Sequence, residues 1–376
     1  MSLTESQAPA NPEGSSERVQ PTDAELVHLI GLTSSELTTL MTERGQPAYR
    51  GKQIARWLYS KRAASPSMMT DLPASLRTDL DTWAVARTLS AIRMDAAADG
   101  AIKYALQLRD GLAIEAVYLP YQDRVSVCLS SQVGCPAGCT FCATARMGLK
   151  RQLTAGEIVE QYLWLQDAQP NRRISHAVFM GMGEPLLNVE AVIQALRVLI
   201  VEVQVSARNL TVSTVGAVPG MLRLAESGLP VNLALSLHAP NDGLRAQLVP
   251  TARAWPLLQI LSAADQYRLQ TGRDVTYEYV LINNVNDSEA HARALTDLLD
   301  GHSGSVNLIP YNPVQGIEVY EPSTSDRIGR FRRILVAAGR TVTQRMRRGL
   351  AVSAACGQLA GAGGAKTSQR HIRRSR

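Results

Sequence analysis

Strand-like and helix-like patterns alternate along roughly 200 residues of this chain, and that rhythm limits its fold more than any other feature. Short runs rich in Val, Ile and Leu predict strands over 125–129, 175–180, 210–215, 232–237, 275–282 and 306–309. Between them, apolar residues at helical intervals predict helices over 154–167, 189–201, 218–227, 257–269, 288–299 and 325–338. A βαβα succession of this length implies a parallel sheet with crossover helices, closed or partly closed as a barrel. In such folds ligands gather at the C-terminal ends of the strands.

Chemistry-bearing residues follow those strands in this chain. A cysteine-rich run comes after the first, "GMGEP" (Gly181 to Pro185) after the second, and "VSTVG" (Val212 to Gly216) lies on the third. "SLHAPND" (Ser236 to Asp242) ends the fourth and "PYNP" (Pro310 to Pro313) the last. Singly each is a turn, since Gly, Pro, Ser and Asn are turn residues. Jointly they predict a ring of ligand contacts.

Upstream, residues 24–90 read as helical. "DAELVHLIGLTSSELTTLMTERG" has helical spacing and a start signal at Ser34-Ser35-Glu36. In "YRGKQIARWLYSKR", Ile54, Trp57 and Leu58 share one helix face, with Arg50, Lys52, Arg56, Lys61 and Arg62 around it. Such a segment is either a small bundle with a solvated basic face or an RNA-contacting accessory domain. "IKYALQLRDGLAIEAVYLP" predicts a hairpin turning at Asp110-Gly111. The expected organisation is a disordered lead-in (1–22), a helical accessory domain (23–90), a β-hairpin linker region (91–120), the barrel (121–346), a C-terminal loop (347–361) and a basic disordered tail (362–376).

No run of some eighteen apolar residues exists to span a membrane, and the first residues lack a signal-peptide layout. The expected location is therefore the cytoplasm, where thiols stay reduced. The net charge of +6 suits a nucleic-acid partner, although part of the excess lies in the tail "KTSQRHIRRSR".

Four of the five cysteines lie in "CLSSQVGCPAGCTFC". Cys135, Cys139 and Cys142 are spaced C-x3-C-x2-C, with Cys128 seven residues upstream and Cys356 far away in "AACGQLAG". Three thiolates on one short loop can hold three irons of a four-iron cluster and leave the fourth open. The alternative is a zinc site with Cys128 as fourth ligand, for which the spacing is unusual.

C-x3-C-x2-C with Phe141 before the last cysteine resembles the radical S-adenosylmethionine superfamily. More closely, "CLSSQVGCPAGCTFCATARMGLKRQLTAGEIVEQ", "VFMGMGEPLLN", "LALSLHAPND", "INNVNDSEAHA", "NLIPYNP" and "AACGQLAG" resemble the RlmN family of RNA methyltransferases. These blocks run in order through residues 115–361, and "GQPAYRGKQIARWLYSKR" resembles that family's accessory domain. The resemblance implies an α/β fold, a partial (β/α)6 TIM-like barrel with a small N-terminal helical accessory domain. It implies a [4Fe-4S] cluster on Cys135, Cys139 and Cys142, and S-adenosylmethionine, two molecules per turnover. The implied reaction is methylation of carbon 2 of adenine in 23S rRNA and tRNA, with Cys356 as methyl carrier. The RNA becomes tied to Cys356, and Cys128 frees it by forming a disulfide. By alternation alone Glu115 is a solvent-facing strand residue; the resemblance gives it acid/base work.

The resemblance also places cofactor contacts on Gly183, Glu184, Ser213, Ser236, Leu237, His238 and Asn312, with His238 as a hydrogen-bonding residue rather than a general base. The implied partners are the two RNAs and a flavodoxin- or ferredoxin-type electron donor, acting on a monomer. Two other functions remain: methylation of carbon 8, as in Cfr-like relatives, and a non-enzymatic iron–sulfur RNA-binding protein. One departure stands out. The family usually has acids between its Arg-Gly and the carrier cysteine, where this chain has Ala351 and Ser353. Ordering of the Cys356 loop by charge is then in doubt.

Overall fold

The computed structural model describes residues 26–346 and 348–360. The expected lead-in and tail lie outside them. Ten strands form one sheet: β1 (Ser90–Ala96), β2 (Ile102–Gln107), β3 (Ala113–Pro120), β4 (Val125–Cys128), β5 (His176–Phe179), β6 (Leu210–Thr214), β7 (Asn232–Ser236), β8 (Val275–Leu281), β9 (Ser305–Pro310) and β10 (Val342–Gln344). They are hydrogen-bonded in chain order, and β1 and β10 do not meet. The barrel is therefore partial, as expected.

From β4 to β10 every pairing is parallel. The hairpin expected at Asp110-Gly111 is β2–β3; with β1 it forms an antiparallel meander that continues the same sheet. Six parallel strands fall where the alternation put them. The short β10 is a seventh.

The crossover helices are α4 (Ala155–Ala168), α5 (Val189–Val201), α6 (Val218–Glu226), α8 (Leu257–Thr271), α9 (Glu289–Leu298) and α10 (Ser325–Ala337), with a short α7 (Asp242–Leu248) before α8. Their starts are written in the sequence. Thr154 and Glu157 form a capping box at α4, and Asn241, Ser288 and Thr324 cap α7, α9 and α10. Apolar stripes such as Val192, Ile193, Leu196 and Leu199 of α5 are fully buried against the sheet.

The accessory unit contains α1 (Ser34–Glu43), α2 (Tyr49–Ala55) and α3 (Ala74–Trp83), with α2 running into a π-helical turn at Arg56–Ser60. Its first residues are not the helix the spacing predicts. Val27–His28 pairs in parallel with Ala84–Val85, and the helix begins only where Thr33 and Glu36 form their capping box. Leu37, Met41, Ile54 and Leu58 are buried in a core continuous with that of the barrel. Glu160 of α4 joins the two units. Its fully buried carboxylate accepts from Thr88 N (2.7 Å), Leu89 N (2.8 Å) and Thr88 Oγ1 (2.9 Å), and lies 3.3 Å from His28 Nε2. Covered by sheet and accessory unit, α4 is buried on nearly every face.

Candidate active site

After β4 a two-stranded ribbon, Gln132–Gly134 with Leu149–Gln152, brackets the loop of Cys135, Cys139 and Cys142. Gly134 has a φ of 78°, and a Cβ there would stand 1.8 Å from Gly148 O, so this turn requires glycine. Cys135 N donates to Gly148 O (3.2 Å), and Thr140 N to Leu248 O (3.0 Å). Burial pushes the Cys135 thiol up to about 12, and raises Cys139 and Cys142 as well. Their neutral forms prevail until a cation arrives to hold the thiolates.

The strand-end motifs surround this loop. Gly183, with a φ of 107°, passes so close to Gln132 and Ser131 that a Cβ would stand 2.7 Å from Gln132 Cβ. The buried Glu184 accepts from Val215 N (2.8 Å) and Leu186 N (3.1 Å). Desolvation nevertheless pushes its carboxyl up to about 6. His238 holds a φ of 61°; its Nδ1 accepts from Val280 N at 3.1 Å, and Asn286 donates to its carbonyl. Burial, aided by the Arg245 cation, pulls the imidazole down to about 3, so it is neutral at physiological pH. With Nδ1 occupied, Nε2 carries the proton.

A cavity of about 920 Å³, open to solvent, is lined by Cys135, Cys139, Cys142, Gly183, Glu184, Ser213, Ser236, His238, Asn312 and Cys356. Of the expected contacts, Leu237 is not at its wall: it is fully buried, its N–H donating to Glu278 O and its carbonyl accepting from Arg245. Asn312 Nδ2 donates to Cys356 O (3.1 Å), while its Oδ1 is buried without a partner in the described residues. Cys128 and Cys356 line one adjoining chamber, itself open to solvent, whose wall also includes Met180, Asn312 and Arg345. Burial, then the nearby Cys356, push the Cys128 thiol up to about 12.

Glu115 is not solvent-facing. It is fully buried, 3.2 Å from Lys103 Nζ and 3.3 Å from Arg93 Nη2, and its Oε2 accepts from Ala360 N at 2.9 Å. Period-two alternation failed because the C-terminal segment, through Ala360, covers the face of β3 that carries Glu115, the same face as Leu119 of the chamber. Glu115 lines neither the cavity nor the chamber.

These residues suit a polynuclear group. Three thiols, buried at Cys135 and Cys139 and partly buried at Cys142, and an orphaned amide oxygen face one cavity. Among the described residues, no three His, Cys, Asp or Glu side chains converge as a single metal ion requires. A four-iron cluster spreads its ligands more widely, so Cys135, Cys139 and Cys142 could hold one, with Asn312, Ser213 and Ser236 around a second ligand.

Sequence reasoning missed several residues. Arg345 directly follows β10 and lines both cavity and chamber. Cys356 first, then Glu278 and Cys128, hold its guanidinium firmly protonated against burial. A three-residue strand shows no readable alternation, so nothing in the sequence marked Arg345. Arg245, at 0% exposure, donates from Nε to Leu237 O (3.0 Å) and from Nη2 to Ser236 O (3.1 Å) and Val215 O. Asp99 accepts from Gly349 N at 2.9 Å and pairs with Arg348, while Lys103 Nζ donates to Ser353 O at 3.3 Å. These bonds anchor the Cys356 loop without acids at 351 and 353.

Comparison with known proteins agrees with this geometry. The Radical SAM superfamily matches over residues 129–295, and the Ribosomal RNA large subunit methyltransferase N-terminal domain over 27–86. The chain is 47% identical to a probable dual-specificity RNA methyltransferase RlmN of Rhodopirellula baltica, over 88% of this chain and 90% of that protein. A Gloeobacter violaceus protein of the same description is also 47% identical, over 88% and 94%. The crystal structure of a radical SAM methyltransferase from Sphaerobacter thermophilus superposes with a TM-score of 0.85 at 45% identity, covering 89% of this chain and 99% of that one.

Proposed function

The chain belongs to the RlmN family of radical S-adenosylmethionine RNA methyltransferases, and from that premise we propose that it methylates carbon 2 of adenine in 23S rRNA and tRNA through Cys356. The observation that carries this reading is the chamber shared by Cys356 and Cys128 beside the three-cysteine cavity. A binding protein has no use for that pair.

Bound on Cys135, Cys139 and Cys142 and along Glu184, Ser213, Ser236, His238 and Asn312, the cluster and S-adenosylmethionine would supply a methyl group and a 5′-deoxyadenosyl radical. The chain's residues do the rest. Cys356 Sγ carries the methyl as a thioether. Carbon 2 of adenine is electron-poor and a weak nucleophile, so radical addition of the carried carbon is the effective route. The adduct then joins Cys356 Sγ to carbon 2 through one methylene.

Cys128, as thiolate, attacks Cys356 Sγ. The S–S bond forms as the S–C bond breaks, its electron pair stays with the methylene carbon, and a proton there completes the methyl group. Both sulfurs end oxidised, so two electrons from a thiol-class reductant must restore them each turnover. Restoring the ring after radical addition releases the carbon 2 proton, to Glu115 or Cys128, and one electron, for which the bound cluster would be the acceptor. Glu115 is held by Lys103, Arg93 and Ala360 N, so its use as a base requires the C-terminal segment to withdraw.

Cys128→Ala protein, reconstituted anaerobically and given dithionite, S-adenosylmethionine and RNA, should accumulate RNA covalently attached to Cys356. Free methylated RNA at the wild-type rate would end the assignment of Cys128 as the residue that releases the product. Mass spectrometry of the nucleoside product should show 2-methyladenosine; methylation at carbon 8 alone would assign the Cfr-like activity instead.

We further propose that the accessory unit grips RNA backbone. Lys52, Arg56 and Lys61 are exposed there, and Lys61 lies over Trp57 at 3.5 Å. The target adenine must leave its stack to reach Cys356. A monomer in the cytoplasm, served by a flavodoxin- or ferredoxin-type donor, completes the proposal. Among the described residues no helix is long and apolar enough to cross a membrane.

A further inference from the structure

Arg245 is a fully buried cation, and none of the ion pairs among the described residues includes it. Its Nε and Nη2 serve the carbonyls of Val215, Ser236 and Leu237 at the ends of β6 and β7. Nη1 is buried and has no partner in the described residues. Three carbonyls satisfy donors but do not neutralise a charge, and an unpaired buried charge is costly. Cys139, then Asp242 and Glu184, act on it electrostatically, and Val215 and Ser236, whose carbonyls it holds, line the cavity together with Cys139. Glu184 spends its oxygens on Val215 N and Leu186 N, and Asp242 accepts from Leu257 N. Cys139 is left.

We propose that Arg245 is the counter-charge of the iron–sulfur cluster held by Cys135, Cys139 and Cys142, and that it sets how readily the cluster accepts an electron. The inference rests on the cluster reading above. Three thiolates make the group anionic, and reduction adds one further negative charge in a dry site. A fixed cation beside Cys139 favours the reduced form, as charge and hydrogen bonds around a cluster do generally. Burial draws Arg245 down to about 10, which leaves it charged at neutral pH. Its hold on β6 and β7 also keeps Ser213 and Ser236 in register with the cysteine loop.

The test is an EPR-monitored redox titration of full-length, anaerobically reconstituted protein without S-adenosylmethionine, with iron and sulfide counted. Arg245→Gln keeps donors for the carbonyls and removes the charge; Arg245→Lys keeps the charge. Arg245→Gln should disfavour reduction at least about tenfold, about 59 mV for one electron, and Arg245→Lys should stay much nearer wild type. Loss of cluster uptake in Arg245→Gln alone, with the fold intact by circular dichroism, supports the same role. Equal potentials in all three proteins overturn it. So do equal shifts or equal cluster loss in both variants, which would mark a purely structural strap. A loss confined to S-adenosylmethionine affinity would assign Nη1 to that ligand instead. Wild-type protein without a cluster would refute the cluster reading itself, a result separable from all of these.

Discussion

Burial decides what each titratable residue of this site can do. His238 is neutral and gives Nδ1 to the Val280 amide, so it shapes a wall and moves no proton. Cys128 is a thiol held up to about 12, and only its thiolate can attack. Below that value the thiolate fraction grows about tenfold per pH unit. Decay of the Cys356–RNA adduct in a single-turnover quench should therefore speed up about tenfold per unit between about pH 7 and 9; a flat profile would show that another step limits release. Arg345 opposes the rise in Cys128. Arg345→Gln should prolong the adduct about tenfold, with Arg345→Lys between it and wild type. The cysteine spacing and the strand-end motifs could be read because short stretches of chain determine them. Arg345 and Arg245 could not, because an arginine's meaning depends on what encloses it. Glu115 was misjudged as exposed for the same reason: its cover, at Ala360, comes from 245 residues away.

At the scale of elements, helices with capping signals and full-length strands were legible to within a few residues, since local bonding fixes their ends. Val27–His28 was not, because its strand exists only through Ala84–Val85. The Cys356 loop is likewise made by distant partners. Asp99 anchors it; burial alone would raise that carboxyl, but the Gly349 and Ala101 amides and Arg348 outweigh it and hold it below the usual range. With the folded pKa depressed, the anchor is complete above the ordinary carboxylate range and is lost as pH falls through the lower, folded value. Asp99→Ala should speed hydrogen exchange at residues 349–357 while global stability drops by no more than about 1–2 kcal/mol. Unchanged exchange there would show that Lys103 and Asn312 suffice.

The whole molecule combines a partial barrel with an accessory unit that shares its core. Lys52→Glu with Arg56→Glu should weaken RNA binding and lower the slope of log affinity against log salt by about 1–2 units; filter binding across a salt series reads both, and no change in either would exclude this face. Those charges were visible in the sequence, but not how rigidly they are mounted. Glu160 fastens Thr88, Leu89 and His28 to α4, and α4 starts at the far end of the ribbon that carries the cluster cysteines. RNA gripped by the accessory unit would therefore meet Cys356 at one fixed reach, as work held in a vice meets a tool on the same bench. Two dissimilar RNAs could both qualify by presenting an unstacked adenine at that distance from the gripped backbone, whatever their surrounding sequence.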